Sequence, residues 1–383
     1  MKHLPSCGAL ITAAGCSTRM GVTKPLLPYR EGTMLSATIH ALQDAGVEAI
    51  YVTVGHEGQA VSAETVRCGA IPVPLPDYER KQMFDSILCG LAAMRQSGMS
   101  AQVLIHPCDA PSVAPQTMYQ LRTVLAFAGA CAIRPSFANR GGHPLLLDAS
   151  LLPGLLAYSG DGGLRGYLRT LGDRFLTLPC YDATVLEDAD TPAQYHEICR
   201  NPKKPPTASI PHALFLEMVV GGLAPPLQAH VRAVASYADE LAEGLCNAGV
   251  PLDRALLRAA CLLHDMCRTE GDHARVAAAH LQRMGFHSVA AVVGQHHSLI
   301  DTSALSEALL LAYADRRTHG AHLTTLETRF AQSYEKCHTT EARTMHAARY
   351  QNAKAMETLL LSTLRRTGGS LVRSADLTQR TVL

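Results

Sequence analysis

Tryptophan is absent from this chain of 383 residues, and all aromatics together make up 5% of it. A stacking platform for nucleic-acid bases needs many exposed rings, so the composition argues against one. Net charge is lacking too: 34 basic side chains against 33 acidic ones leave +1 at pH 7. That balance gives no footprint for nucleic acid or a membrane surface and directs attention to small molecules. No apolar run reaches the ~20 residues that span a bilayer. The opening segment MKHLPSCGALITAAG has neither the apolar core nor the cleavage site of a secretory signal. The twelve cysteines include no CxxC pair, so neither a zinc ribbon nor a disulfide framework is expected. They read as reduced thiols of a cytoplasmic protein.

What is present is an ordinary globular balance, 47% hydrophobic and 17% charged, in a chain long enough for two domains. From Gly8 to about Arg200, short apolar runs at 9–13, 49–54, 70–73, 102–106, 131–134, 144–147 and 175–178 alternate with helical patterns such as 33–45 and 84–96. The alternation predicts an α/β domain, a mainly parallel sheet covered by helices, over residues 7–198. Proline and lysine crowd the stretch 199–209, a stiff solvated linker. Beyond it, apolar residues recur at three- and four-residue spacing over 214–220, 227–245, 252–266, 274–284, 288–297 and 304–318. An all-α domain is therefore expected over 210–365, followed by a tail at 366–383.

The richest chemistry of the first half lies in LITAAGCSTRMGVTKPLLP, residues 10–28. A buried strand breaks into a loop carrying Gly15, Ser17, Arg19, Gly21 and Lys24. Glycines let backbone N–H groups approach a polyanion, and Arg19 and Lys24 add fixed positive charge. Such a loop suits a nucleoside triphosphate. Asp109, at the carboxyl end of the run 102–107, and Asp190, in an acidic cluster at 187–190, are candidate carboxylates for a magnesium ion. Taken singly, Asp109 is equally a turn residue and the cluster equally a helix N-cap.

In order and identity, Gly15, Ser17, Arg19, Met20, Gly21, Lys24, Leu26, Leu27 and Pro28 resemble the signature of the MobA-like nucleotidyltransferases. Later motifs of that family are matched at 108–111, at Gly142-His143-Pro144, at 160–165 and at 188–192. The resemblance covers about residues 7–198 and implies a Rossmann-like nucleotidyltransferase fold using Mg²⁺. Thr12-Ala13-Ala14-Gly15 is similar to the molybdenum cofactor cytidylyltransferases. Carried over by motif, Ala14, Gly15, Ser17, Arg19, Lys24 and Ser86 would contact the nucleotide, and Asp109 and Asp190 would hold the magnesium. Arg19, Lys24 and Asp109 would carry the catalysis. The implied reaction joins CTP to the phosphate of a molybdopterin-type cofactor with release of pyrophosphate, and a molybdoenzyme would receive the product. One stretch departs from the family. Where members often read Asn-Pro-Asp-Tyr, then Gly-Met and a Ser, this chain has Leu75-Pro76-Asp77-Tyr78, then Gln82-Met83 and Ser86.

Histidine is unevenly spread: twelve of the eighteen follow position 211. His264-Asp265 closes an apolar helix, His230 precedes it, His273 follows, His296-His297 closes a further helix, and Asp315 ends the run 309–314. Imidazole and carboxylate together suit Fe, Mn, Zn or similar divalent ions. The ordered set His230, His264-Asp265, Asp315 resembles the HD-domain metal-dependent phosphohydrolases over roughly 210–320. His273, His296 and His297 match the further ligands of members that hold two metals. The resemblance implies metal-assisted hydrolysis of a phosphoester, with Asp265 at its centre, and leaves the substrate open. Two other readings of the whole chain stay open. One is a nucleotidyltransferase for a sugar or alditol phosphate, the other a cofactor carrier with a sensory HD domain.

Overall fold

The computed structural model describes residues 4–16, 20–98, 100–200 and 209–366. Those up to 200 form one compact unit and those from 209 another.

The first unit is built on a sheet of eight strands: β1 (Cys7–Thr12), β4 (Ala49–Val54), β5 (Ile71–Pro74), β6 (Gln102–Pro107), β7 (Ala132–Phe137), β8 (Arg140–Gly141), β9 (Leu145–Asp148) and β10 (Phe175–Pro179). Two short strands, β2 (Pro28–Tyr29) and β3 (Gly32–Thr33), make a separate hairpin. The main order is β10-β7-β9-β6-β1-β4-β5, with β8 beside β7. All seven apolar runs become strands of this path. Pairing is parallel except that β9 runs against both its neighbours and β8 against β7. Ala9, Leu10 and Ile11 of β1 are fully buried, as expected of a central parallel strand covered on both faces. The helices of this unit are α1 (Met34–Asp44), α2 (Gly58–Arg67), α3 (Met83–Gln96), α4 (Pro115–Phe127), α5 (Leu152–Leu156), α6 (Gly163–Arg169) and α7 (Pro192–Arg200). Residues 199 and 200, expected at the head of the linker, thus belong to α7; 201–208 lie outside the described residues.

Chain order runs outward from β1 through β4 to β5 and then returns to β6 on the other side of β1. This reversal opens a crevice beyond the carboxyl ends of β1 and β6, the usual ligand position in open α/β sheets. In the register of the pair, Thr12 stands opposite Pro107. The loop after β1 and the Cys108-Asp109 segment therefore leave the sheet side by side.

The second unit contains α8 (Ala213–Gly221), α9 (Pro225–Asn247), α10 (Arg254–Leu263), α11 (His273–Arg283), α12 (His287–Val293), α13 (Glu307–Arg316), α14 (Leu326–Tyr334) and α15 (Thr340–Arg366). Side chains of Asp253, Asp272 and Ser306 cap α10, α11 and α13 by accepting from backbone N–H groups in the first turn. The helical expectation holds, with one small addition. Thr318–His319 and His322–Leu323 pair as a two-residue hairpin, β11 and β12, around Gly320 at φ +59°. Glycine tolerates that left-handed conformation without a Cβ penalty. No helix among the described residues is long and apolar enough to cross a membrane.

Gly142 shows how tightly the sheet edge meets the turn that leads into the acidic run. A Cβ there would lie 2.2 Å from the Val185 carbonyl oxygen, while the next N–H, that of His143, donates to the same oxygen at 2.8 Å. Gly142→Ala should therefore cost roughly 1–3 kcal/mol through a forced backbone shift, read as a lower urea midpoint with an unchanged m-value.

Candidate functional site

Three segments converge at the crevice of the first unit. The Cys108 N–H donates to the Thr12 carbonyl at 3.2 Å, and the Ala189 N–H to the Asp109 carbonyl at 2.9 Å. Lys24 is brought between the carboxylates of Asp109 and Asp190, its Nζ lying 2.9 Å from Asp109 Oδ2 and 2.7 Å from Asp190 Oδ1. Burial alone would lower the lysine's pKa; the two carboxylates outweigh it and hold the ammonium above its ordinary value. Asp188 joins the group, its carboxyl pushed up by burial and by Asp190 and Asp109. Three carboxylates around one ammonium leave excess negative charge on oxygen donors alone. That donor set fits a hard divalent cation such as Mg²⁺.

A cavity of about 260 Å³ opens here, lined among others by Ala14, Gly15, Lys24, Tyr78, Gln82 and Ser86. Ser86 and Thr53 share a hydrogen bond of 2.8 Å between their hydroxyls. A Cβ on Gly55 would meet the Ala14 carbonyl and the Tyr78 ring base within 3 Å, so the wall can close only around glycine. Lys24, Asp109, Asp190, Ala14, Gly15 and Ser86 thus meet at one site, whereas Ser17 and Arg19 lie outside the described residues. A larger cavity of about 590 Å³, between the β2–β3 turn, α1 and the start of α4, contains none of these groups. Donor chemistry, not volume, selects the candidate.

In the second unit five segments supply the site. His230 lies on α9, His264 and Asp265 follow the last turn of α10, His273 opens α11, and Asp315 lies in the last turn of α13. His296 and His297 do not close α12 as expected but sit in the turn beyond its end at Val293. Gly294 keeps a helical conformation, its N–H donating to the Ala290 carbonyl at 2.9 Å; in the turn beyond it the His296 Nδ1–H donates back to the Val293 carbonyl at 2.7 Å. His264 likewise donates from Nδ1 to Cys261 O at 2.7 Å, and His230 to Gly320 O at 3.1 Å. Each of these bonds commits Nδ1–H to a carbonyl and leaves Nε2 facing the centre, the usual support of a metal-ligating imidazole.

At that centre, His230 Nε2 lies 3.1 Å from Asp315 Oδ1 and 3.6 Å from Asp265 Oδ2. His264 Nε2 is 3.5 Å from Asp265 Oδ2. The other oxygen of Asp265 lies 3.2 Å from His273 Nε2. Asp265 therefore stands between two groups, His230–His264–Asp265 and His273–His296–His297, in each of which the ligand atoms lie within 4.8 Å of one another. Nε2 of His264, His273 and His296 and Oδ1 of Asp265 are buried without a hydrogen-bond partner. An orphaned buried polar atom costs about 1–3 kcal/mol, and four of them shared between these two groups fit bound cations. Electrostatics agree. Burial would lower His264, yet Asp265 and Asp315 lift it to about 8. The carboxylates of Asp265 and Asp315 are held low by the imidazoles against the opposing effect of burial. His296 and His297, by contrast, are pushed down to about 3 and about 4, chiefly by burial.

Residues 9–175 match the MobA-like NTP transferase domain, and residues 227–347 match the HD domain. The chain is thus a MobA-like NTP transferase domain followed by an HD domain. The transferase half is 28% identical over 202 residues to nicotine blue oxidoreductase of Paenarthrobacter nicotinovorans, covering 51% of this chain and 97% of that protein. It is 26% identical over 188 residues to the molybdenum cofactor cytidylyltransferase of Escherichia coli K12, covering 49% and 92%. Among solved structures, a nucleotidyl transferase from Methanothermobacter thermautotroptrophicus superposes with a TM-score of 0.44 at 24% identity, covering 51% of this chain and 97% of that one.

Some groups of both domains escaped sequence reasoning. In the transferase domain these are Asp188 and His143, whose imidazole is lowered by burial and lies in the fields of Asp109 and Asp188. In the HD domain they are the Gly320 carbonyl and Arg268, which pairs with Asp265 Oδ2. The motif Gly142-His143-Pro144 and the acidic run at 187–190 were the available signals for the first two. The Gly320 carbonyl had none.

Metal uptake by the HD domain should depend on pH in a direction set by His264. Raised above its ordinary 6.5 to about 8, this imidazole is protonated at neutral pH and must lose a proton to become a ligand. Apparent Mn²⁺ affinity should rise roughly ten-fold per pH unit from about pH 6 to about pH 8 and then level off. Calorimetric titration in buffers of different ionisation heat should count about one proton released per ion. His296 and His297 should contribute nothing to this slope.

Proposed function

We propose that the chain is a bifunctional enzyme. Its transferase domain moves a cytidylyl group from CTP to the phosphate of a molybdopterin-type cofactor, and its HD domain hydrolyses a phosphoester with the aid of Fe, Mn or Zn. The observation that carries the first half is the Lys24–Asp109–Asp190 constellation at the sheet's switch point. Choice of nucleotide and acceptor is supported by Thr12-Ala13-Ala14-Gly15 and by the likeness to the Escherichia coli cytidylyltransferase along nearly all of its length. Paired carboxylates and a lysine favour phosphate chemistry over the redox chemistry named for the Paenarthrobacter relative.

In the proposed reaction an oxygen of the acceptor phosphate forms a bond to the α-phosphorus of CTP. The bond from that phosphorus to the bridging oxygen breaks, and pyrophosphate leaves with the electron pair. The protein's part is to position and to offset charge. Asp109 and Asp190 would hold Mg²⁺, which would supply charge neutralisation and free Lys24 to face the phosphates. Gly15 and its neighbours offer N–H groups, and Tyr78, Gln82 and Ser86 wall the nucleotide. In the HD domain, His230, His264, Asp265 and Asp315 would hold one metal and His273, His296 and His297 a second, with Asp265 between them. Metals bound there would supply Lewis acidity and a lowered pKa for water. A molybdoenzyme is the proposed recipient of the transferase product.

Incubation with CTP, Mg²⁺ and molybdenum cofactor should release pyrophosphate and give a cytidylylated product by mass spectrometry. Asp190→Asn should slow release on the order of 10²-fold with the fold intact by circular dichroism. No pyrophosphate from a chain that still binds CTP would sink the assignment, and a panel of sugar and alditol phosphates would then identify the acceptor.

A further inference from the structure

Helix α15 packs against the segment that follows the last two histidines of the HD centre. Its inward stripe is Ala353, Met356, Leu360 and Leu364, all buried. Arg349 continues that stripe by one turn, four residues before Ala353, at the point where the helix emerges to solvent. Just beside it, Asn352 clasps Ile300: its Oδ1 accepts from the Ile300 N–H at 3.0 Å and its Nδ2 donates to the Ile300 carbonyl at 2.8 Å. The clasp fixes α15 against the segment that begins at His296-His297. Arg349, three residues before Asn352, lies on the same face of α15.

Neighbouring arginines are all committed. Arg268 pairs with Asp265. Arg316, buried, donates to the carbonyls of Ala312 and Ser298. Arg317 is held by Glu357 and the Thr324 carbonyl. Arg349 is exposed and, among the described residues, makes no ion pair. Its charge reaches the site nonetheless: His297 is lowered first by burial, and Arg349 adds to the effect.

We propose that Arg349 is the phosphate-recognising residue of the HD domain, pairing its guanidinium with a dianionic phosphate such as that of a phosphomonoester or the terminal phosphate of a nucleotide. A guanidinium offers paired N–H donors that match two phosphate oxygens. Charge balance selects the class. With the imidazoles neutral as ligands, Asp265 and Asp315 balance Arg268 and Arg349, so the excess charge on loading is the two positive charges of each divalent ion. A dianion compensates that excess better than a diester monoanion. The proposal rests on the phosphohydrolase reading of the HD domain.

The test is calorimetric titration of the Mn²⁺-loaded full chain with inorganic phosphate and with dimethyl phosphate, manganese content being measured in parallel. Binding that survives Asp265→Asn belongs to the transferase domain and is subtracted. Arg349→Ala should weaken phosphate binding at least about ten-fold, Arg349→Lys less, both with unchanged manganese content and helicity. Dimethyl phosphate should bind more weakly than phosphate and lose less affinity than phosphate does on either substitution. Equal phosphate affinity in wild type and Arg349→Ala overturns the role of Arg349. Dimethyl phosphate binding as tightly as phosphate overturns the dianion class. A chain that takes up no manganese at the HD site removes the phosphohydrolase reading, and this inference with it.

Discussion

The ammonium of Lys24, held between Asp109 and Asp190, ties together three segments that lie 85 and 166 residues apart in the chain. Each carboxylate would be costly to bring out of water beside the other, since like charges at close range oppose both burial and ionisation. The lysine makes their approach possible. The loop after β1, the segment after β6 and the acidic run before α7 can then share one crevice. That crevice exists because strand order reverses at β1, so topology supplies the place and charge balance decides what gathers there.

The HD domain meets the same constraint with different side chains. Asp265 and Asp315 are buried among imidazoles, and three of those rings are fixed by backbone carbonyls so that their Nε2 atoms face inward. Without a cation the centre compensates itself imperfectly: His264 is drawn towards protonation while several donor atoms remain without partners. Helices packed this well do not leave such groups orphaned for stability's sake. The converging nitrogen and oxygen donors are the arrangement that a divalent metal satisfies.

Both centres share a design in which the scaffold is apolar and locally coded while the chemistry sits where elements end. Thr12 and Pro107 end their strands; Leu263 and Val293 end their helices. Backbone groups left free at such ends orient the functional side chains, as the Cys261 and Val293 carbonyls orient His264 and His296. Arg349 belongs to this pattern from the other side, being the point where a buried helical stripe runs out into solvent.

Much of this was legible in the residues themselves. Apolar runs of four to six residues marked every strand of the main sheet path, most strongly the central β1, β4 and β6, because a strand buried on both faces must be apolar along its length. Three- and four-residue spacing marked the helices beyond the proline-rich stretch, and His264-Asp265 stood out as two metal-capable groups at an apolar helix's end. Other features were decided only by tertiary structure. Lys24 reads in sequence as a phosphate ligand, and its pairing with two distant aspartates depends on strand order. His296 and His297 lie in the turn beyond their helix, where a bond to the Val293 carbonyl fixes the His296 ring. The β11–β12 hairpin, too short for any periodic signal, supplies the carbonyl that aims His230. Local pattern determines which elements form, since it acts through neighbours in the chain; which charges meet is settled by packing, since it depends on residues that only the fold brings together.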